Sequence, residues 1–206
     1  MAITNGYATL AEYKAWIATR GLSGSVSTDA SDDASIEIII EAVSRYIEAE
    51  TGRRFWKDAS DATRYYQTDD QYCVKVDDLS AAPTTVSVDL NDNRIYTDLA
   101  STVYELSPAN AALEGLPYRQ IGIIQSSGYY FPTTPRGVKV LAKFGFPATP
   151  TDIKEATLAI SQAVYGSRTG QAGSGRISFT DAGIVIRPDD VPPFAQRVIS
   201  NYRIRT

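Results

Sequence analysis

"SIEIIIEAVSRYIEAETGRRFW", residues 35–56, is the stretch on which the reading of this chain turns. Ile36, Ile39, Ile40, Val43 and Ile47 recur at spacings of 3, 1, 3 and 4, which places them on one face of a helix and predicts a single buried seam. Asp32 or Asp33 stands where a short acidic side chain can cap the first turn. Gly52 can take the left-handed conformation that ends a helix. Arg53 and Arg54 then fall beside the last unpaired carbonyls, whose partial negative charge favours cations. Phe55 and Trp56 can fold back onto the seam. Gly52, Arg53, Arg54, Phe55 and Trp56 are therefore expected to make a structural corner rather than a nucleic-acid contact or a ligand clamp.

Upstream, "TLAE" is a capping box, with Thr9 three residues before Glu12. Leu10, Tyr13 and Ile17 follow at helical spacing as far as Gly21, so a short first helix is expected over about 10–20. "LSGSVSTDAS" is small and polar and reads as a loop.

From about residue 63 the period changes from 3.6 to 2. "TTVSVDL" sets Val86, Val88 and Leu90 against Ser87 and Asp89, and "VKVLAKF" sets Val138, Val140, Ala142 and Phe144 against two lysines and Leu141. "RYYQ", "YCVKV", "RIYTD", "TVYEL" and "IGIIQ" are shorter strand candidates between turn-rich pieces such as "LNDNR" and "SPAN". Residues 61–149 thus read as an inserted antiparallel β-domain, a sandwich or partly open barrel. The helical period resumes at "TDIKEATLAISQAVYGSR", with Thr151 or Asp152 as cap, Ile153, Ala156, Ile160 and Val164 as seam and Gly166 as stop. "RISF" and "GIVIRP" can pair across "TDAG" as a hairpin. Pro192 and Pro193 open a last helix whose apolar side is expected from Phe194, Val198 and Tyr202, with Arg203 and Arg205 at its end. The fold class is α+β: a helical part, residues 1–60 and 150–206, interrupted by the β-rich 61–149.

Composition narrows the chemistry. The 206 residues include no histidine and one cysteine, Cys73. That removes the usual Ser/His/Asp triad, an intrachain disulfide and a thiol or imidazole zinc site. No apolar run reaches membrane-spanning length, and the first residues lack the layout of a secretory signal, so a soluble protein that stays in the cytoplasm where it is made is expected. The net charge of −4 argues against a protein whose task is gripping DNA. Residues 1–100 carry 9 basic and 17 acidic side chains and residues 101–206 carry 11 and 7, so the two halves could complement one another between neighbouring copies.

Two features imitate functional motifs. "GSRTGQAGSGR" has glycines without the Walker lysine and follows a helix instead of a strand, so a mobile loop is expected. The doublets Asp32-Asp33, Asp69-Asp70, Asp77-Asp78 and Asp189-Asp190 sit at turns or helix starts, and adjacent side chains do not face one another. Neither a cofactor nor a metal site nor a catalytic set is expected.

The order of elements carries more than any motif. "YIEAETGRRFW", a β-rich excursion, "TDIKEATLAISQAVYGSR", a glycine-rich loop, a hairpin and "VPPFAQRVISNYRIR" together resemble the head-tail connector proteins of tailed phages, the adaptor or head-completion family. The likeness spans nearly the whole chain. Thr51, Gly52, Arg53, Arg54 and Phe55 match a TGR-like helix stop followed by an aromatic, and Tyr202, Arg203 and Arg205 match the arginine-ended terminal helix. Members often close with PYRR where this chain has "SNYRIRT". The resemblance implies a structural, non-enzymatic ring subunit, typically of twelve copies, in the virion neck beneath the portal. It would extend the DNA channel and offer a platform to the tail. The implied partners are the portal protein, a tail-side neck or tail-terminator protein and other copies of itself, with DNA only as transiting cargo and no membrane. The implied portal-docking residues are Phe194, Arg197, Val198, Tyr202, Arg203 and Arg205. A monomeric carbohydrate- or protein-binding module using the tyrosine-rich sheet is the alternative, and a histidine-free hydrolase built on facing carboxylates is a third. A ring against a monomer separates the first two.

Overall fold

The computed structural model describes residues 3–21, 32–168, 178–180, 183–186 and 191–204. The chain is α+β. It divides into two compact units: Met1–Arg53 with Thr149–Thr206, and Arg54–Ala148.

In the first unit, α1 (Leu10–Thr19) opens with the reciprocal capping box, Thr9 N–H donating to the Glu12 carboxylate at 2.8 Å and Glu12 N–H to Thr9 Oγ1 at 3.2 Å. Tyr13 and Ile17 are its buried residues. Helix α2 (Asp33–Thr51) buries Ile36, Ile39, Ile40, Val43 and Ile47, the seam its sequence spells out. Each such burial stabilises by about 1.5–3 kcal/mol before the entropy cost is counted. Its start differs from expectation: Asp32 makes no side-chain cap and instead accepts a hydrogen bond from the Tyr165 hydroxyl at 3.0 Å, a tertiary bond that outcompetes the local one.

Helix α4 (Thr151–Arg168) packs on α2 with Ile153, Ala156, Ile160 and Val164 buried. It runs through Gly166, where a stop was expected; glycine inside a helix costs only about 1 kcal/mol relative to alanine, which the rest of the helix can absorb. The hairpin is present as β8 (Ser178–Thr180) and β9 (Gly183–Val185), with Phe179 opposite Ile184. Most of the glycine-rich loop, Asp189-Asp190 and Arg205 lie outside the described residues. Helix α5 (Pro193–Tyr202) begins at the proline pair but buries Ala195, Val198 and Ile199, not Phe194. The 3-and-1 spacing of those three sets the face, and it leaves Phe194 about a quarter-turn from the centre of that face.

The second unit is a sandwich of two antiparallel sheets. Strands β1 (Ala62–Tyr66), β3 (Thr85–Val88), β4 (Thr97–Leu99) and β7 (Val138–Ala142) form one sheet in the order β1-β7-β3-β4, and β2 (Cys73–Leu79), β5 (Tyr104–Ser107) and β6 (Tyr118–Ile123) form the other in the order β2-β6-β5. Val86 lies opposite Val140 on one side and Leu99 on the other, and Val74 opposite Ile121, so both inner faces feed one core. Phe131 and Phe144 close it, and a one-turn helix α3 (Ala111–Glu114) precedes β6.

Strand β3 stops at Val88, and Leu90 is exposed where the alternation placed it inside. The cause is Asp89, whose buried carboxylate accepts the amides of Asn93 at 3.1 Å and Arg94 at 2.8 Å and the Arg94 guanidinium at 3.2 Å. Burial alone would raise its pKa; those donors outweigh it and hold the carboxyl below its ordinary value. "LNDNR" is thus a turn wound on a buried anion, with Asp92 and Arg94 at positive φ.

Each unit has its own core, and the helical one is expected to survive alone. Replacing Arg54–Ala148 by a short Gly-Ser bridge should leave a helical circular-dichroism spectrum and a cooperative melt, and a molten product would show that the sheets belong to the same core.

Candidate docking site

The C-terminal end of α2 is where residues from both ends of the sequence meet. Gly52 takes φ 69° and its N–H donates to the Glu48 carbonyl at 2.8 Å, the left-handed stop read from the sequence. Two further carbonyls of the last turn are closed by the exit of α5. Arg203 Nε donates to the Glu50 carbonyl at 2.8 Å while its guanidinium pairs with the Glu50 carboxylate, and Ile204 N–H donates to the Thr51 carbonyl at 3.0 Å. A helix end leaves such acceptors unsatisfied, and a cation there also complements the dipole. The cation that does this is Arg203, about 150 residues away in sequence.

Arg53 and Arg54 have other surroundings. Arg53 N–H donates to Thr51 Oγ1 at 3.2 Å. Arg54 pairs with Asp58 at 3.1 Å and lies 4.2 Å over the Trp56 ring, inside the β unit. Phe55 is fully buried with its ring 4.8 Å from that of Phe146, so it contributes to packing in the β unit. Phe146 is preceded by Gly145 at φ 105°, and a Cβ there would stand 1.9 Å from the Trp56 carbonyl oxygen.

The expected docking residues divide. Val198 is buried within its own unit. Tyr202 donates its hydroxyl to Asp152 Oδ1 at 3.0 Å, and Arg203 is committed to Glu50. Phe194 is 51% exposed and Arg197, one turn further along α5, is exposed with no carboxylate partner among the described residues. These two face outward, and Arg205 is not described.

Phe194 also lines an open groove of about 640 Å³, together with Trp16 and Arg20 of the α1 end and Thr151, Asp152, Glu155 and Ala159 of α4. Three contacts link its wall: Trp16 Nε1 donates to Glu155 at 2.8 Å, Arg20 pairs with the same carboxylate at 3.3 Å, and the Arg20 guanidinium stacks 3.9 Å over the indole. Sequence reading passed over this groove. The signal was Trp16, an aromatic beside the Tyr13/Ile17 stripe that the helical period places next to the core face instead of on it. Among the described residues no three cysteine, aspartate or glutamate side chains gather as metal ligands, and no helix is long and apolar enough to cross a membrane.

No family model matches the chain, and no curated protein matches it in sequence. Its fold does have a solved counterpart. A structure of the neck of an empty GTA particle, computed with C6 symmetry, superposes with a TM-score of 0.54 at 16% identity, covering 100% of this chain and 94% of that one. The likeness is one of fold, over the whole length.

Two outcomes check this local account. Phe55→Ala should cost about 3–5 kcal/mol in a thermal or urea melt, Trp56→Ala less because its ring is half-buried, and Gly145→Ala about 3 kcal/mol or more since its Cβ meets backbone. The second concerns alkali. Burial, reinforced by the Asp152 hydrogen bond and charge and opposed by Arg53, pushes the Tyr202 hydroxyl up to about 12 from an ordinary 10.0. Its neutral form is thus favoured in the fold, a contribution fully present below pH 10 and lost as the pH rises from 10 to about 12. Tyr202→Phe should flatten that part of the pH-stability curve.

Proposed function

We propose that this protein is a structural subunit of the neck of a tailed-phage-like particle, an adaptor ring component that binds beneath the portal, extends the DNA channel and gives the tail its platform. The observation that carries this reading is the full-length likeness to the neck of a GTA particle, a phage-like gene transfer agent, coupled with an element order that resembles the connector family from end to end. The C6 symmetry of that neck structure supports a ring of copies. The composition agrees with the role: an acidic chain lets DNA pass without holding it, and a ring subunit has no use for histidine chemistry.

In this reading the portal contact is made by the outward residues of α5, Phe194 and Arg197, with Arg205 beyond them. Val198, Tyr202 and Arg203 position the helix that presents them. Phe194 supplies the apolar anchor and Arg197 a charge that an acidic portal rim would steer.

The test is head completion. Point variants are needed, since α5 carries part of its own unit's core. Phe194→Ser and Arg197→Glu should melt within about 1 kcal/mol of the parent, as exposed substitutions do, yet add poorly to tail-less, DNA-filled heads, the arginine change with a marked salt dependence. Normal completion by both variants, or a parent protein that joins heads without forming a ring on them in electron micrographs, would reject the assignment.

A further inference from the structure

We propose that one loop end of the β unit receives α3 from a second copy of the chain, so that copies join head to tail through their β units; this rests on the ring reading above and names a contact within the ring. Three loops, residues 67–72, 89–96 and 128–137, meet at the end of the sandwich where β7 begins. Phe131 N–H donates to the Gln71 carbonyl at 2.7 Å, Asp89 N–H to the Gly137 carbonyl at 2.9 Å and the Tyr96 hydroxyl to the Arg136 carbonyl at 2.9 Å. Eight large aromatic or aliphatic side chains are exposed on this unit, and six of them stand at this end: Tyr65, Tyr72, Leu90, Ile95, Tyr129 and Tyr130. Ile95 is 72% exposed. The other two are Leu113 and Leu116, in α3 and just after it.

The chemistry of this loop end points to a protein. Tyr65, Lys139, Ser87 and Asp98 stand opposite one another across the four strands, on the outer side of the sheet. The Arg136 guanidinium lies 4.2 Å over the Tyr65 ring and Lys139 Nζ 4.9 Å over that of Tyr96, and the two rings are 5.7 Å apart. One face of each ring is thereby taken by the chain's own cation, where a sugar or a base would stack, and Leu90 and Ile95 offer a sugar hydroxyl or a phosphate no hydrogen bond. Arg136 and Lys139 have no carboxylate partner among the described residues. The nearby carboxylates are engaged: Asp89 and Asp92 by Arg94, Asp98 by the Ser87 hydroxyl and Asp70 by the Tyr72 amide. Asp69, the exception, belongs to the 67–72 loop and stands off that row. An aliphatic knob carrying a carboxylate suits such a surface.

This chain carries one. Leu113 is 89% exposed, more than any other large apolar side chain among the described residues, and Leu116 is exposed two residues past the helix. Glu114 between them is exposed, and its carboxylate has no cation partner among the described residues. The amides of Gly115 and Leu116 both return to the Ala111 carbonyl, which closes the turn beneath them. The knob lies away from the loop end of its own unit. Tyr118, which follows it, pairs with Leu79, and Leu79 bridges Phe144 beyond the far end of β7, about 20 Å from Val138 at roughly 3.3 Å per residue. Two different patches on one unit make a heterologous contact, which closes into a ring when the rotation allows and cannot stop at a symmetric dimer. One repeated contact sets the leucines against Leu90, Ile95 and the tyrosines and Glu114 against Arg136 and Lys139, and it uses neither Phe194 nor Arg197.

The experiment uses the full chain with Cys73, its only cysteine, changed to serine, both in solution and added to tail-less, DNA-filled heads. Leu113→Cys and Ile95→Cys placed in one chain should yield, on mild oxidation, a ladder of dimers, trimers and larger species in non-reducing gels. The two single variants mixed should stop at the dimer, and each alone should stay monomeric. Glu114→Arg should weaken association roughly tenfold or more with the melting temperature unchanged, Arg136→Glu should weaken it likewise, and the two changes in one chain should restore it. A dimer from Leu113→Cys alone would overturn the proposal in favour of symmetric α3 pairing. Cross-linking of Ile95→Cys on completed heads only to the portal or a tail-side protein would overturn it in favour of that partner. Rings on heads with neither the ladder nor the charge-swap rescue would overturn this contact and leave the ring reading standing. A ladder in solution from a chain that joins no head would do the reverse, and the absence of both rings and ladder would overturn both.

Discussion

The last turn of α2 is the constraint on which the helical unit depends. The end of a helix leaves carbonyls without an intrahelical donor, and a donor brought from elsewhere in the chain fixes what is bound there. Gly52 supplies one by turning left-handed, and the segment after α5 supplies two more through Arg203 and the Ile204 amide. The terminus of the chain is thereby tied to a helix formed near its start. Tyr202, bonded to Asp152 at the beginning of α4, ties it to the third long helix. The path of α5 follows from these bonds as much as from its apolar face.

That commitment decides which groups of α5 remain for a partner. Arg203 and Tyr202 have their hydrogen-bonding capacity engaged within the subunit, and Ala195, Val198 and Ile199 face its core. Phe194 and Arg197 are left on the outside, beside a groove walled in part by the Trp16, Arg20 and Glu155 cluster.

The β unit is built on a different rule. Alternation sets most of its inner faces, with local departures: the pairing of β2 with β6 shifts register between Lys75 and Leu79, Asp89 winds the turn after β3, and Gly145 lets the chain pass against the Trp56 carbonyl. Tyr65, Tyr72, Tyr129 and Tyr130 stay partly exposed on its surface, while Tyr65 and Tyr96 are stacked by Arg136 and Lys139.

By itself the sequence determined the features that depend on neighbours within a few residues. The capping box at Thr9, the α2 seam, the left-handed Gly52, the proline start of α5 and the alternation of β7 are local, because a period or a dihedral preference needs only the adjacent chain. What lay beyond it was decided by groups distant in sequence. Asp32 was drawn from capping to Tyr165, the carbonyls expected to face Arg53 and Arg54 were closed by Arg203 and Ile204, and Phe55 found Phe146. The face of α5 shifted to Ala195, Val198 and Ile199, and the groove at Phe194 came from three helices that no window of sequence brings together. Periodicity tells which side of a helix is apolar; only tertiary structure chooses which partner satisfies a given carbonyl, carboxylate or ring, since that choice is made by competition among groups that meet only when the chain has folded.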